Sequence, residues 1–308
     1  MTDLTNLVEP TATSRPWWVY FFRNRAAAGG FIFILIILFL SLTGPNWYPL
    51  LVSSDRGQLR DGIYQDYNAI NDAPSAVHWL GTDYLGRDTL TRLWMAVRVS
   101  LLVAVIVEAI NIGLGGSLGL LAGYFGGWVD LTISRVADML FAFPGLLLAI
   151  LVSAVFGSTA RELYGGMGRL LLVAIALSLV SWPLMARLVR SETLSLKSRD
   201  FVMASHSLGA SRFFIIFKHI LPNVMWLIIV AATVDVASVI VNEATLSLLG
   251  LGIEEPEASL GLMIFRAVGK IESHPLQVFI PAVVITTLVI AFSFVGDGLR
   301  DALDPRSR

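Results

Sequence analysis

Six stretches of the chain are almost unbroken in apolar residues, at about 28–51, 99–121, 139–156, 170–188, 224–248 and 276–295. A helix needs about 20 such residues to cross roughly 30 Å of hydrocarbon, so each stretch predicts a transmembrane helix. The third begins as early as Leu131 if its polar interruptions are tolerated. The runs are apolar on every side, and a 3.6-residue period therefore assigns no inner face. The first run is too long for a secretory leader and no small-residue cleavage pattern follows it, which predicts a retained helix. It carries Pro45 and ends near the interfacial pair Trp47 and Tyr48. Between the runs lie two long polar segments, an external loop at 52–98 and a cytoplasmic loop at 189–222. The predicted organisation is an N-terminal cytoplasmic segment, 1–27, followed by one six-helix domain, 28–308.

Composition supports a lipid-facing surface. Apolar residues make up 56% of the 308 positions and charged residues only 15%, against roughly 45–50% and about 25% in soluble domains. Net charge is −1, so no basic field exists to hold nucleic acid. There are no cysteines, which excludes disulfides, thiolate metal sites and a cysteine nucleophile. His78, His206, His219 and His274 are scattered and form no ligand pair, so no metal site is expected.

Charge orients the bundle. An even number of spans puts both termini on one side. That side collects Arg15, Arg23, Arg25, Arg135, Arg187, Arg190, Lys197, Arg199, Arg212, Lys218, Arg300, Arg306 and Arg308. Short basic loops stay in the cytoplasm, so both termini are predicted to be cytoplasmic.

The loop before the fifth span is the most informative. Asp200 suits the start of a short helix, Gly209 its end, Ser211 the cap of a second, and Pro222 either its stop or the opening of the next span. Such a pair, held by flanking spans, presents a knob to the cytoplasm. An amphipathic helix lying flat on the membrane has the same pattern.

The segment resembles the cytoplasmic signature of permease subunits of bacterial binding-protein-dependent ABC importers. That signature is Glu-Ala-Ala, three residues, Gly, nine residues, then Ile-x-Leu-Pro. Ala204, Gly209, Leu221 and Pro222 match it, while Met203, Ser205 and His219 replace its Glu, second Ala and Ile. Gly81-Thr82-Asp83-Tyr84-Leu85-Gly86-Arg87-Asp88 is similar to the Gly-Thr-Asp-x-x-Gly-Arg-Asp of the dipeptide/oligopeptide subfamily. The stretch Gly296 to Pro305 is similar to the end of its C-type subunit. The resemblance implies an all-α type I importer permease in the bacterial cytoplasmic membrane. It also implies a second homologous permease, two ATPase subunits that bind ATP and Mg, and an external solute-binding protein. The coupling role falls on 200–221, through Asp200, Phe201, Met203, Ala204, Ser205, Gly209, Ala210, Leu221 and Pro222. The chain has no G-x-x-x-x-G-K-[ST] loop, no nucleophile elbow and no metal pair, so it is expected to be non-catalytic and to bind no cofactor of its own.

Other residues carry two readings each. Gly115, Gly119 and Gly123, with Gly127, recur at every fourth position, a spacing that lets helix backbones approach. They predict a packing seam, with a substrate contact as the lesser reading. Glu108, Asp235 and Glu243 lie in or at the edge of apolar spans, where a charge costs roughly 2.5–3.5 kcal/mol. Asp235 and Glu243 are candidates to line the path and meet a peptide's amino group; an ion pair, a protonated carboxyl or an interfacial place is the bland reading. Arg135 and Asp138 have the spacing of an ion pair within one helix. Pro144 and Pro183 predict kinks. Glu254, Glu255 and Glu257 flank Pro256 in an acidic patch that faces either a binding protein or solvent. Two other functions share the hydropathy pattern: a secondary transporter driven by an ion gradient, for which no three-plus-three repeat is visible, and a membrane scaffold or sensor.

Overall fold

The computed structural model describes residues 16–52 and 62–303. Arg15, Arg306, Arg308 and the Asp304-Pro305 end of the C-terminal motif lie outside the described residues, as do 1–15 and 53–61. The described residues are overwhelmingly helical, and their only β pairing is an isolated bridge between Thr82 and Asp88. The helices are α1 Trp17–Arg23, α2 Arg25–Val52, α3 Thr89–Phe125, α4 Gly127–Phe141, α5 Gly145–Lys197, α6 Asp200–Ser207, α7 Arg212–Leu248, α8 Leu260–Ala267 and α9 Leu276–Leu303. Five of them, α2, α3, α5, α7 and α9, are long and apolar enough to cross a membrane.

The third and fourth apolar runs merge into α5, whose 53 residues would reach about 80 Å if straight. They do not stay straight. Gly165 takes φ 60° and ψ −143°, a conformation only glycine adopts readily. Beyond it the chain folds back. Arg169 Nη1 donates to the Ser153 carbonyl at 3.2 Å, although 16 residues along a straight helix span about 24 Å. The two limbs, 145–164 and 166–197, are therefore antiparallel. A second break separates α4 from α5 where Pro144 stands in extended geometry just ahead of Gly145. The third run thus divides near 142–144 instead of continuing from 139. Pro183, by contrast, lies inside the second limb.

The helices also outrun the apolar segments that announced them. The second span extends back to Thr89, because Asp88 caps it by accepting from the Thr91 amide at 2.8 Å. The loop expected to begin at 189 remains helical to Lys197. The principal core is shared by α3, α5, α7, α8 and α9, with Val97, Val103, Val107, Val173, Ile240, Leu260 and Leu288 buried in it. A second cluster at one end joins Tyr124, Val189 and Leu196 to Val202, Ile215 and Ile220. The outer helix α2 leaves Ile32, Leu35, Ile36 and Phe39 exposed, as a lipid-facing helix does.

The glycine series forms a seam between α3 and the second limb of α5. A Cβ on Gly115 would stand 2.6 Å from the Trp182 carbonyl, on Gly119 2.5 Å from that of Ala186, and on Gly123 2.7 Å from Thr193 Cβ. Gly127 stands apart, with open space around it, in the turn to α4. At the other end of the bundle, residues 62–88 fold over the helix tips as a cap.

Candidate functional site

The segment from Asp200 to Pro222 is a small hairpin of helices. Its first arm, α6, begins at Asp200. Gly209 turns the chain at φ 81°, and Ser211 caps the second arm by accepting from the Phe214 amide at 3.2 Å. The second arm is not a separate helix. It runs through a π-turn, Ile215–Ile220, straight into α7. Pro222 follows that turn within the first residues of regular helix, where its missing N–H is tolerated. Val202 anchors α6 by packing among Ile215, Ile216, Ile220 and Leu196.

The rest of the hairpin is bare. Asp200, Phe201, Met203, Ala204 and Gly209 are exposed; Ser205, Ala210 and Leu221 are partly so. Leu208 at the tip is 89% exposed, and Phe213, Phe214 and Phe217 add further apolar surface. Of these four, only Leu208 is marked in the sequence, as a bulky apolar residue beside the turn glycine; the three phenylalanines carry no such signal. The 166–197 limb is about 48 Å long against roughly 30 Å of hydrocarbon. A limb of that length exceeds what one crossing needs, and the hairpin lies at its end.

Ionic contacts brace the approach. Arg190 pairs with Asp130, with Nη2 2.6 Å from Oδ2, and the guanidinium holds that carboxyl below the usual aspartate range. Lys197 Nζ donates to the Tyr124 carbonyl at 2.6 Å. Asp138 pairs with Arg187 on the facing limb at 2.6 Å. The same-helix pair expected with Arg135 is thus replaced by one between helices.

The intramembrane carboxylates fall into two environments. Glu243 is completely buried. It accepts from Ser100 Oγ and Ser247 Oγ, each at 2.8 Å, and Ser247 is linked to Ser259 at 3.1 Å. This knot ties α3, α7 and α8 together and leaves Glu243 no exposed surface in this structure. Asp235 is different. It accepts from Asn111 Nδ2 at 3.3 Å and lines a cavity of about 40 Å³ with Ser181, Val239 and Asn242. Asn111 opens a π-turn in α3, Asn111–Gly116, and Ser181 Oγ donates to its Oδ1 at 3.0 Å. Among the described residues no group of three His, Asp or Glu converges on a metal position.

The Gly-Thr-Asp motif and the acidic patch meet at the opposite end of the bundle. Asp83 Oδ2 takes Arg87 Nε at 2.7 Å. Arg87 in turn grips Glu255, through a short contact from Nη1 and a 3.0 Å one from Nη2. Tyr84 donates to the same carboxyl at 2.7 Å. Arg92 donates to the Pro256 carbonyl at 2.8 Å. Burial pushes the Glu255 carboxyl up, but the hydrogen bonds from Arg87 and Tyr84 outweigh it and hold the group below the usual glutamate range. Burial, with the neighbouring Glu255 carboxylate, raises the Tyr84 phenol. Glu254 pairs with Arg161 at 2.5 Å and approaches Arg169 at 3.5 Å. Two of the three patch glutamates are therefore paired within the chain while staying partly exposed.

Five helices long and apolar enough to cross a membrane, a polar cap at one end and an apolar knob at the other are the features of a multi-pass membrane subunit. The chain belongs to the family described as binding-protein-dependent transport system inner membrane component, whose model matches residues 115–308. It is 37% identical over 303 residues to the glutathione transport system permease protein GsiD of Pectobacterium atrosepticum, covering 97% of this chain and 94% of that one. It is 38% identical over 288 residues to the dipeptide transport system permease protein DppC of Alkalihalophilus pseudofirmus, covering 93% and 88%. Its fold matches a chain of the MetNI methionine ABC transporter in an inward-facing conformation, with TM-score 0.55 and 20% identity over 69% of this chain and 98% of that one. The protein is accordingly a transmembrane permease subunit of an ABC importer in the bacterial inner membrane, with the type I permease fold.

Proposed function

We propose that this subunit carries peptides, that it forms the path with a second homologous permease, and that residues 200–221 couple it to two ATPase subunits. ATP and Mg reside on those partners, and an external solute-binding protein delivers the cargo. The chain itself is non-catalytic. Residues 28–308 act as one permease domain with six crossings, the two limbs of α5 counting separately, and with both termini in the cytoplasm. The names of the relatives support peptides as cargo.

The observation that carries the coupling role is the knob. Val202 pins one arm to the bundle while Leu208, Phe213 and Phe217 stay bare. A lever needs this combination: rigid attachment to the spans and a free apolar end for a partner groove. The length of the limb that carries it speaks against a helix resting on lipid.

Gly209→Val tests it. A Cβ there meets no atom within 4 Å, so the first added carbon causes no clash. The left-handed backbone costs roughly 1–2 kcal/mol for a residue bearing a Cβ and bends the hairpin. The expected outcome is an assembled complex that hydrolyses ATP but takes up at least tenfold less cargo. Uptake and hydrolysis equal to wild type would sink the coupling assignment.

A further inference from the structure

The polar groups around Asn111 have not been given a role by the coupling reading. Asp235 lies near the middle of α7, about 20 Å of helix from Leu248, and so at the depth where charge is most costly. Glu108, one turn before Asn111, is only 6% exposed. Its Oε1 lies 3.5 Å from Asn111 Nδ2, and its buried Oε2 has no hydrogen-bond partner. Two carboxyl groups thus share one amide across two helices. Among the described residues no Lys, Arg or His forms an ion pair with either.

Three further observations converge on the same place. The α-helix is broken there by the π-turn that starts at Asn111, a distortion that recurs at functional sites. The 40 Å³ cavity reaches Asp235 and Ser181 and has room for a water-sized polar group. From Asp235 a polar lane runs along α7 through Ser238, Asn242 and Thr245, with Ser238 and Asn242 exposed. Exposed polar side chains at this depth are accommodated where a wet route passes, not where lipid does.

We propose that Asp235, with Glu108, Asn111 and Ser181 behind it, forms a cation station on the translocation path that takes the protonated amino group of a peptide in transit. The inference rests on the peptide reading given above. An ammonium group offers three donors and no acceptor. The station offers carboxylate oxygens that lack a counter-cation and a hydroxyl beside them. Asp235 makes the contact. Glu108 stands behind it on the same amide, where the two acids can share a proton, and Asn111 holds the two in register. A dehydrated ammonium is stabilised there without a residue that would hold it permanently, so the group can leave again.

The test uses the whole complex with its binding protein in proteoliposomes, dialanine as cargo, and ATPase activity read in the same vesicles. Asp235→Asn is expected to lower dialanine uptake at least tenfold and Glu108→Gln at least threefold. ATPase stimulation by the loaded binding protein should stay within twofold of wild type. Asp235→Glu, which keeps the charge, should retain more uptake than Asp235→Asn. Full uptake in both neutral variants would remove the station from the path. Parallel loss of uptake and ATPase, or failure of the neutral variants to assemble, would assign the pair a purely structural role and overturn the proposal equally. Wild-type vesicles that take up no dialanine would refute the peptide reading itself, a result distinct from wild-type uptake that the variants leave untouched.

Discussion

Arg87 shows how one side chain organises an entire end of the molecule. It is 3% exposed and holds Asp83 within its own loop and Glu255 from the loop after α7. Removing one partner of such a buried pair typically costs about 3–5 kcal/mol. Arg87→Met is expected to cost about 3 kcal/mol, read as a lower melting temperature of the purified subunit or complex. The clasp also has a pH signature. Glu255 is held below the usual glutamate range, so its folded pKa is depressed relative to the unfolded chain. The stability it contributes is present above the ordinary value of about 4.3 and is lost as pH falls through the folded pKa. Melting temperature followed from neutral pH down to about 3 should fall more steeply in wild type than in Glu255→Gln. The Gly-Thr-Asp-x-x-Gly-Arg-Asp string marked Arg87 as special, but nothing in it named Glu255, 168 residues away. Glu243 teaches the converse. Its place in an apolar run made it look like a path residue, and only the hydroxyls of Ser100, Ser247 and Ser259 reveal a sealed knot.

Helices and turns were read with uneven success, and the reason is steric. Apolar length marks a crossing, but the ends of helices are set by caps and breaks that hydropathy does not register. Asp88 starts α3 ten residues ahead of the apolar run that announced it. Pro144 splits the third run, and Gly165 turns one continuous helix into two limbs. The glycine spacing on α3 was a better guide, because close approach leaves room for no larger side chain. Gly119→Val would drive its methyl groups into the Ala186 carbonyl and Val189. Overpacking of that kind costs about 1–3 kcal/mol or more, and a melting curve should show it. Gly113→Ala is the control, since a Cβ there meets nothing within 4 Å; it should leave the melting temperature unchanged.

At the scale of the whole molecule, the long helices carry the cap and the knob at opposite ends. The absence of cysteine from the chain makes this easy to examine. Leu208→Cys and Ser273→Cys both place a thiol at an exposed position. A membrane-impermeant maleimide should label Leu208→Cys only from the cytoplasmic face and Ser273→Cys only from outside. Labelling of both from one side would overturn the six-crossing topology. The same architecture explains why the polar lane on α7 matters. A helix with Asp235, Ser238 and Asn242 on one flank is incomplete by itself, and a second permease beside it would enclose that flank.

The amino-acid sequence by itself determined the lipid-facing character, the number of apolar runs, the family resemblance and the position of the turn at Gly209. Each of these depends on local composition or on residues adjacent in the chain. The tertiary structure alone decided that Glu255 belongs to Arg87, that Asp138 pairs with Arg187, that Glu243 is sealed, that Asn111 bonds both Asp235 and Ser181, and that Asp235 and Ser181 line one cavity. These are contacts between segments far apart in the chain. In a membrane helix apolar on all sides, no periodicity indicates which face turns inward, so partner choice is settled only when the helices pack.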